Sequence, residues 1–349
     1  MHKNSHSKRI YIHAAAALGP HGDILRTERR VLNGDPQPLE LKQRVKEIVG
    51  VPLRQASHLV ELAAIGSQLC LQRLTIPAPP ETAVYVGTGL AEVRKNEAIF
   101  RQVMPPGPGM ASPFDFINAA NNMAAFYTAK LGNFHARNLT VSQEEFSFEW
   151  ALQLAAADLR AGDYRRPPGM TEVRSAKPSV NESSFTGQTQ ERFSGQALVG
   201  GVDENSLPRI NHLRRIALRD DQPMSEGSGW LMLSTSAQHA IGELIEIKRL
   251  ARGTTAAQAL LAALPTWRDA QEPVTLLAGL RIEPSEVEQL LQAVPGLQAQ
   301  DYLAWCGAFH TAAACGIAAL FDAPVVPGLF IHLNRDASGR SMFCAVRVF

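Results

Sequence analysis

The chain has 349 residues, a net charge of +1 and 45% apolar residues. This is enough for one large domain or two smaller ones, each with a substantial core. Near-neutrality supplies no global field for nucleic acid or an acidic lipid surface, and no segment reaches the roughly 18 apolar residues of a membrane span. Thr311 to Phe321 comes nearest, but it is short and rich in Ala and Gly.

In chain order, Lys3, Lys8 and Arg9 precede the apolar stretch Ile10 to Leu18, a loose imitation of a signal peptide. His13 interrupts that stretch, and Ile10-Tyr11-Ile12 suits a first strand, so Ile10 to Ala15 is expected to be extended. Leu39 to Ile48 and Ala56 to Leu71 have helical spacing, the latter with Leu59, Leu62, Ile65 and Leu69 near one face. Ala83 to Gly89 is a short buried strand ending in a glycine turn. Pro105 to Pro113 holds four prolines and two glycines and is a loop, and Phe116 to Leu131 is helical.

Thr140-Val141-Ser142 leads into an amphipathic helix that stops at Gly162. Arg166 to Gln196 is rich in Ser, Thr, Pro, Gly and Gln and is expected to be a flexible insertion, because it cannot bury enough surface to offset its ordering entropy. Ala197 to Glu204 and Gly229 to Ser234 read as strands. Thr255 to Ala263 and Pro284 to Ala293 read as helices, and Tyr302 to Leu320 as helix or turn. Gly328 to Leu333 and Met342 to Val348 read as closing strands. This alternation implies an α/β protein of mixed sheets covered by helices. Cys70, Cys306, Cys315 and Cys344 lack metal spacing and read as buried, reduced thiols of a cytoplasmic protein.

Several fragments, in order, resemble the β-ketoacyl synthases. They are Val84-Tyr85-Val86-Gly87-Thr88-Gly89-Leu90, Ser112-Pro113 through Ala120, Thr140-Val141-Ser142, and Asp163-Tyr164 with Ala197 to Glu204. Ser225-Glu226-Gly227-Ser228-Gly229 and Phe309-His310-Thr311 follow. The resemblance implies a thiolase-like, layered αβαβα architecture with mixed sheets and a buried helix layer. It implies one unit over 1–349, built from pseudo-duplicated halves of about 1–220 and 221–349.

A condensing enzyme needs a thiolate nucleophile, two imidazoles and an oxyanion hole. Here Glu145 stands at the nucleophile position, with Glu144 next if the register moves by one. The family's first histidine motif has no counterpart, its lysine falls at Trp305, and its C-terminal glycine turn is replaced by Asn334 to Arg340. His310 alone is retained. Glu145 suits a helix N-terminus, where nearby N–H groups or Arg340 could hold it.

The resemblance therefore implies a catalytically silent, chain-length-factor-type partner of bacterial type II polyketide or fatty-acid-like systems, with an aryl-polyene pigment system as the nearest setting. Such a subunit forms a heterodimer with an active synthase, meets an acyl carrier protein and needs no cofactor or metal. Phe146, Phe148 and Trp150 are candidates to line the acyl tunnel, against ordinary core packing. Arg209, Arg214 and Arg215, with His212, are candidates to meet the acidic carrier, against a solvated helix face.

Two other readings stand beside this one. An acyl-thioester decarboxylase or acyltransferase would use Glu145 and His310, and a non-catalytic scaffold would only bind carriers. Ser142 as a hydrolase nucleophile lacks a Gly-x-Ser-x-Gly elbow, and Gly87-Thr88-Gly89 lacks the rest of a phosphate loop.

Overall fold

The computed structural model describes residues 8–23, 29–54, 56–107, 109–162, 195–215, 222–268, 272–322 and 324–349. Lys3 and residues 166–194 of the expected insertion lie outside them.

The strands are β1 (Ile10–Gly19), β2 (Gly22–Asp23), β3 (Ala83–Gly87), β4 (Asn138–Val141), β5 (Gln196–Asp203) and β6 (Gly227–Ser234), then β7 (Gly242–Arg249), β8 (Val274–Ala278), β9 (Leu297–Gln300), β10 (Gly328–Arg335) and β11 (Ser341–Val348). The helices are α1 (Lys42–Arg44), α2 (His58–Leu71), α3 (Val93–Val103), α4 (Pro113–Asn118), α5 (Met123–Gly132) and α6 (Ser147–Ala161), then α7 (Leu207–Arg215), α8 (Ala256–Trp267), α9 (Pro284–Ala293), α10 (Leu303–Cys306) and α11 (Ala312–Ala318).

Local chemistry explains many of the ends. The Ser57 hydroxyl accepts the Val60 N–H at 3.1 Å to start α2. Thr255 and Gln258 form a capping box at α8. Gly162, left-handed at φ 75°, stops α6. The expected helix over 116–131 is instead two helices, broken after Asn118 and resumed at Met123. The expected helix over 39–48 reduces to α1 and a π-helical turn, Val45–Val49.

The strands hydrogen-bond in the order β4-β3-β5-β6-β1-β7-β11-β10-β8-β9, with β2 added to β1. One topology runs through this list twice. Leaving β2 aside, each set of five strands is ordered third, second, fourth, fifth, first: β4-β3-β5-β6-β1, then β9-β8-β10-β11-β7. The pairing sense repeats as well. In each set the second strand is parallel to the third and fourth, while the fifth is antiparallel to the fourth and first. Antiparallel pairing of β1 with β7 joins the sets. The change-over lies in 235–241, later than a division at 220, because β6 pairs with β5 and β1 of the first set.

Three apolar clusters define five layers. Leu59, Leu62 and Ile65 of α2, with Ala124 and Ala125 of α5, cover Val84, Val86 and Leu198 on one face of the first set. Ala83, Tyr85 and Val199 point to the opposite face. There they meet α6 and α11, which also touch Leu277, Phe330 and Val346 of the second set. Leu260 of α8 and Leu290 of α9 close the far side against Leu276, Ile331 and Phe343. The layers are therefore helix, sheet, helix, sheet, helix, with α6 and α11 buried. All of α11 is inaccessible, and its Ala, Cys and Gly side chains allow both sheets to come close. The four cysteines are free and buried.

Candidate functional site

β4 ends at Val141, and the chain turns sharply before α6. Glu144 has a left-handed backbone at φ 47°, inside the short 3-10 turn Glu144–Phe146. The Gln143 N–H donates to Ser147 Oγ at 2.7 Å, and the Ser147 hydroxyl donates to the Glu144 carbonyl at 2.8 Å. These bonds lock the elbow. Gly87, at the end of β3, lets it dock: an added Cβ would lie 2.6 Å from the Ser147 carbonyl oxygen. Gly89 performs the same service for His310, whose ring a Cβ there would strike. The Gly87-Thr88-Gly89 motif is thus a close-packing device.

Two carboxylates follow the elbow one helical turn apart, both fully buried. Glu145 Oε1 accepts from Arg281 Nη2 at 2.9 Å and from Nε at 3.3 Å. Arg281 comes from the turn after β8 and is left-handed at φ 59°. Arg340, the cation expected for Glu145, pairs with Asp336 instead. Burial, assisted by the Glu145 charge, raises the Glu149 pKa to about 7. The Asn334 amide donates 2.8 Å bonds to Glu149 Oε1 and to the Glu145 carbonyl, while its Oδ1 accepts the Leu280 N–H at 2.9 Å. His332 Nδ1 lies 3.8 Å from Glu149 Oε1, and its Nε2 is hydrogen-bonded to the Tyr302 hydroxyl at 2.9 Å. Burial lowers the His332 pKa to about 3, so this imidazole is neutral.

Asp203, at the end of β5, holds the neighbouring region together. It accepts from the Gly89 N–H at 2.9 Å, from the Thr88 hydroxyl at 3.1 Å, and from the N–H and hydroxyl of Thr311 at 2.9 Å each. Arg209 supplies its buried countercharge. His310 therefore sits between fixed neighbours, with no hydrogen bond to either ring nitrogen. Burial, with the nearby positive charges of Arg209 and Arg281, lowers its pKa to about 3 despite Asp203. Its ring lies 5.6 Å from that of His212, whose Nε2 is 3.8 Å from Glu144 Oε1. Of five left-handed non-glycine residues among the described residues, Ala91, Glu144 and Arg281 flank this site.

Two cavities open at the carboxyl ends of parallel strands, one in each topological set. The first, of about 570 Å³, lies beyond β3 and β4. Gly89, Ser142 to Phe146 and the β10–β11 turn line it. The second, of about 490 Å³, lies beyond β8 and β9. Gly279, Arg281, Ile282, Gln300 and the β5–β6 connection at Gln222–Pro223 line it. Glu145 belongs to the first wall and Arg281 to the second, so their ion pair links the two cavities. Open α/β sheets bind ligands at this end of their strands.

The sequence candidates separate in space. Phe146 is buried and lines the first cavity. Phe148 is a core residue under the first set of strands, and half-buried Trp150 lines neither cavity. Arg209 is 1% exposed and bound to Asp203, so burial removes it from any surface a carrier could touch. Arg214 is exposed and bonds to Asp35 at 3.1 Å; the Arg215 side chain lies outside the described residues. Sequence reasoning missed Arg281, Asp203, Glu149 and His332. For Arg281 a signal existed, since Val274-Thr275-Leu276-Leu277-Ala278 is a β-rich run ending at Gly279.

No protein-family model and no curated protein matches this chain. Solved structures do. The ishigamide ketosynthase/chain length factor is similar at a TM-score of 0.71 and 16% identity, over 98% of this chain and 99% of that one. A type II polyketide synthase acyl-carrier protein in complex with its ketosynthase bound to the hexaketide gives a TM-score of 0.70 at 13% identity, covering 98% and 100%. A β-ketoacyl synthase from Burkholderia phymatum STM815 gives 0.62 at 13% identity, covering 98% and 100%. The chain has the thiolase-like fold of the ketosynthase and chain-length-factor structures.

Proposed function

We propose that this chain is a catalytically silent, chain-length-factor-type subunit that pairs with an active β-ketoacyl synthase. In this reading it belongs to a bacterial type II system of the aryl-polyene kind, and shapes the tunnel for an acyl chain delivered by a carrier protein. The observation that carries this is the Glu145–Arg281 pair. A condensing nucleophile must be a reachable thiolate that can hold an acyl group. At the corresponding position this chain has a carboxylate, fully buried and bound to a guanidinium.

The surface beside the elbow supports a partner. Phe114, Phe116, Ile117 and Phe126 on α4 and α5 are 47% to 70% exposed. Phe126 lies on α5, which packs against β4, the strand that ends the order and pairs only with β3 among the described residues. An apolar face beside an unpaired strand edge is the kind of surface that another chain covers. Of the tunnel candidates, Phe146 alone lines a cavity, so the reading assigns chain-length control there. A decarboxylase using Glu145 and His310 is disfavoured, because Arg281 already occupies the Glu145 carboxylate.

The test is co-purification with a cysteine-bearing β-ketoacyl synthase from the same source, with malonyl-carrier condensation assayed for each protein alone and for the pair. Activity confined to the pair, with product length changed by Phe146→Ala, is the expected result. Condensation or decarboxylation by this chain alone, lost in Glu145→Ala or His310→Ala, would overturn it. So would a stable homodimer that binds carrier and ignores the synthase.

A further inference from the structure

The arm formed by α3 and α4 lacks an apolar anchor. None of the 11 residues of α3 is buried, and in α4 only Asn118 is. Asp115 braces the two helices against each other, accepting from Lys95 Nζ at 2.9 Å and from Gln102 Nε2 at 2.8 Å. Toward the body there is a cavity instead. Its volume is about 380 Å³, and it lies between Arg94, Glu97 and Arg101 of α3 and Ser206, Leu207 and Ile210 at the start of α7.

The arm is attached at the N-terminal end of α3, just after Ala91, which is left-handed at φ 51°. Two fully buried carboxylates meet there. Glu92 caps α3 from the front, and its Oε1 accepts the Ser57 hydroxyl of the α2 cap at 2.7 Å. Glu204, just past β5, accepts the Arg94 N–H of α3 at 3.2 Å. The second oxygen of each carboxylate, Oε2, is buried without a hydrogen-bond partner. The nearby cations are engaged elsewhere. Arg209 of α7 is bound to Asp203 of β5, His58 of α2 to Glu226, and Lys95 to Asp115. Arg94 is left for Glu204, 44% exposed and 4.0 Å from its Oε2. A second buried negative charge without its own countercharge is costly, and a proton removes it. Burial pushes the Glu92 pKa up to about 8, and the Glu204 charge adds to this against the Ser57 bond, Lys95 and Arg209. Burial raises that of Glu204 as well, against Arg209, Arg94 and His58.

We propose that Glu92 and Glu204 form a pH-sensitive latch: one proton held by the pair keeps the α3–α4 arm closed on the body, and its loss releases the arm. Glu204, on an N–H of a helix terminus, is the acid that keeps its charge, so Glu92 carries the proton. When that proton passes to solvent base, two like charges stand buried at one helix end, and swinging α3 out from the Ala91 turn brings them to water. With the arm open Glu92 loses its proton near 4.5, and with it closed near 8. Closure is therefore strongest below 4.5, weakens as pH rises to 8 and changes little beyond. Because α4 carries Phe114, Phe116 and Ile117, opening also displaces the apolar face offered to a partner, a consequence that rests on the function proposed above.

The experiment is amide hydrogen exchange of the full chain at a series of pH values, corrected for the intrinsic pH dependence of exchange and read over residues 93–104. Protection there should fall about 100-fold from pH 5.5 to pH 8 and then level off. Glu92→Gln, which mimics the protonated acid, should hold the arm closed throughout, and Glu204→Gln, which removes the like charge, should flatten the curve as well. Residues 59–71 of α2 are the internal reference and should stay protected. A flat curve for the parent chain, a Glu92→Gln curve parallel to it, or an equal fall over 59–71 overturns the latch. Synthase binding is recorded separately. Flat exchange in a chain that binds the synthase overturns this inference alone, whereas an arm that opens in a chain that binds no synthase overturns the partner reading alone.

Discussion

The two topological sets share a backbone plan but carry different chemistry. In the first, β4 runs through a locked elbow into the 15-residue α6, which presents Glu145 and Glu149 to the interior. In the second, the corresponding β9 leads to the four-residue α10, a glycine turn and then His310 ahead of α11. Acid therefore enters from one side. Arg281, Asn334 and His332 answer it from the other. The comparison teaches that repetition of strand order fixes where a site lies, at the carboxyl ends of the parallel strands. The short connections beyond those strands decide what the site contains.

The largest effect should come from cutting the link between the sets. Arg281→Met strands the Glu145 charge in the interior and should lower the unfolding free energy by about 3–5 kcal/mol. Glu145→Met with Arg281→Met removes both charges and should recover most of that loss. Urea titration of the single and double variants measures it, and equal losses in both would show that the two charges are not coupled.

A smaller effect concerns Glu149, the acid of the first set that faces His332 of the second. An unfolded glutamate loses its proton near 4.5, but burial keeps that of Glu149 up to about 7. Between these values the folded state binds more protons, so the contribution of Glu149 to stability is complete below 4.5 and declines as pH rises through 7. His332 acts oppositely. With its pKa lowered from 6.5 to about 3, its contribution grows as pH climbs between those values. Glu149→Gln mimics the protonated acid. It should match the parent at pH 4 and exceed it by roughly 1–3 kcal/mol at pH 8. Denaturation at a series of pH values checks this, and parallel curves would exclude Glu149 as the titrating group.

The smallest effect compares the two left-handed turns, Glu144 in the first set and Arg281 in the second. Arg281 is fixed by its ion pair, whereas Glu144 is exposed and replaceable. Glu144→Gly should relieve the backbone and stabilise the chain by up to about 1 kcal/mol, read as a rise in thermal midpoint. A fall would show that the Glu144 side chain contributes more to folding than its conformation costs.

Much of this architecture was legible in local patterns. Ala83-Val84-Tyr85-Val86-Gly87 and Ala197-Leu198-Val199-Gly200-Gly201 are continuous apolar runs, as strands buried on both faces must be. The helix Pro284–Ala293 was bounded by its own proline and periodicity. Harder cases were β7, whose Gly-Glu-Leu-Ile-Glu-Ile-Lys-Arg alternates imperfectly, and β9, only four residues long.

The site divided along the same line. By itself the sequence determined that two carboxylates, Glu144 and Glu145, follow Thr140-Val141-Ser142, that His310 stands before a small-residue stretch, and that the Ala83 run closes on Gly87-Thr88-Gly89, because residue identity and short-range spacing are written in the chain. Tertiary structure alone decided that Arg281, 136 positions from Glu145, neutralises it, and that Asp203 joins Thr311 across 108 positions. It also decided that Arg209 turns inward rather than toward a carrier. The physical reason is that burial and charge pairing depend on which distant segments share a layer. Helical or strand periodicity gives the face of each element, but the partner brought against that face is set only when the two sheets close on α6 and α11.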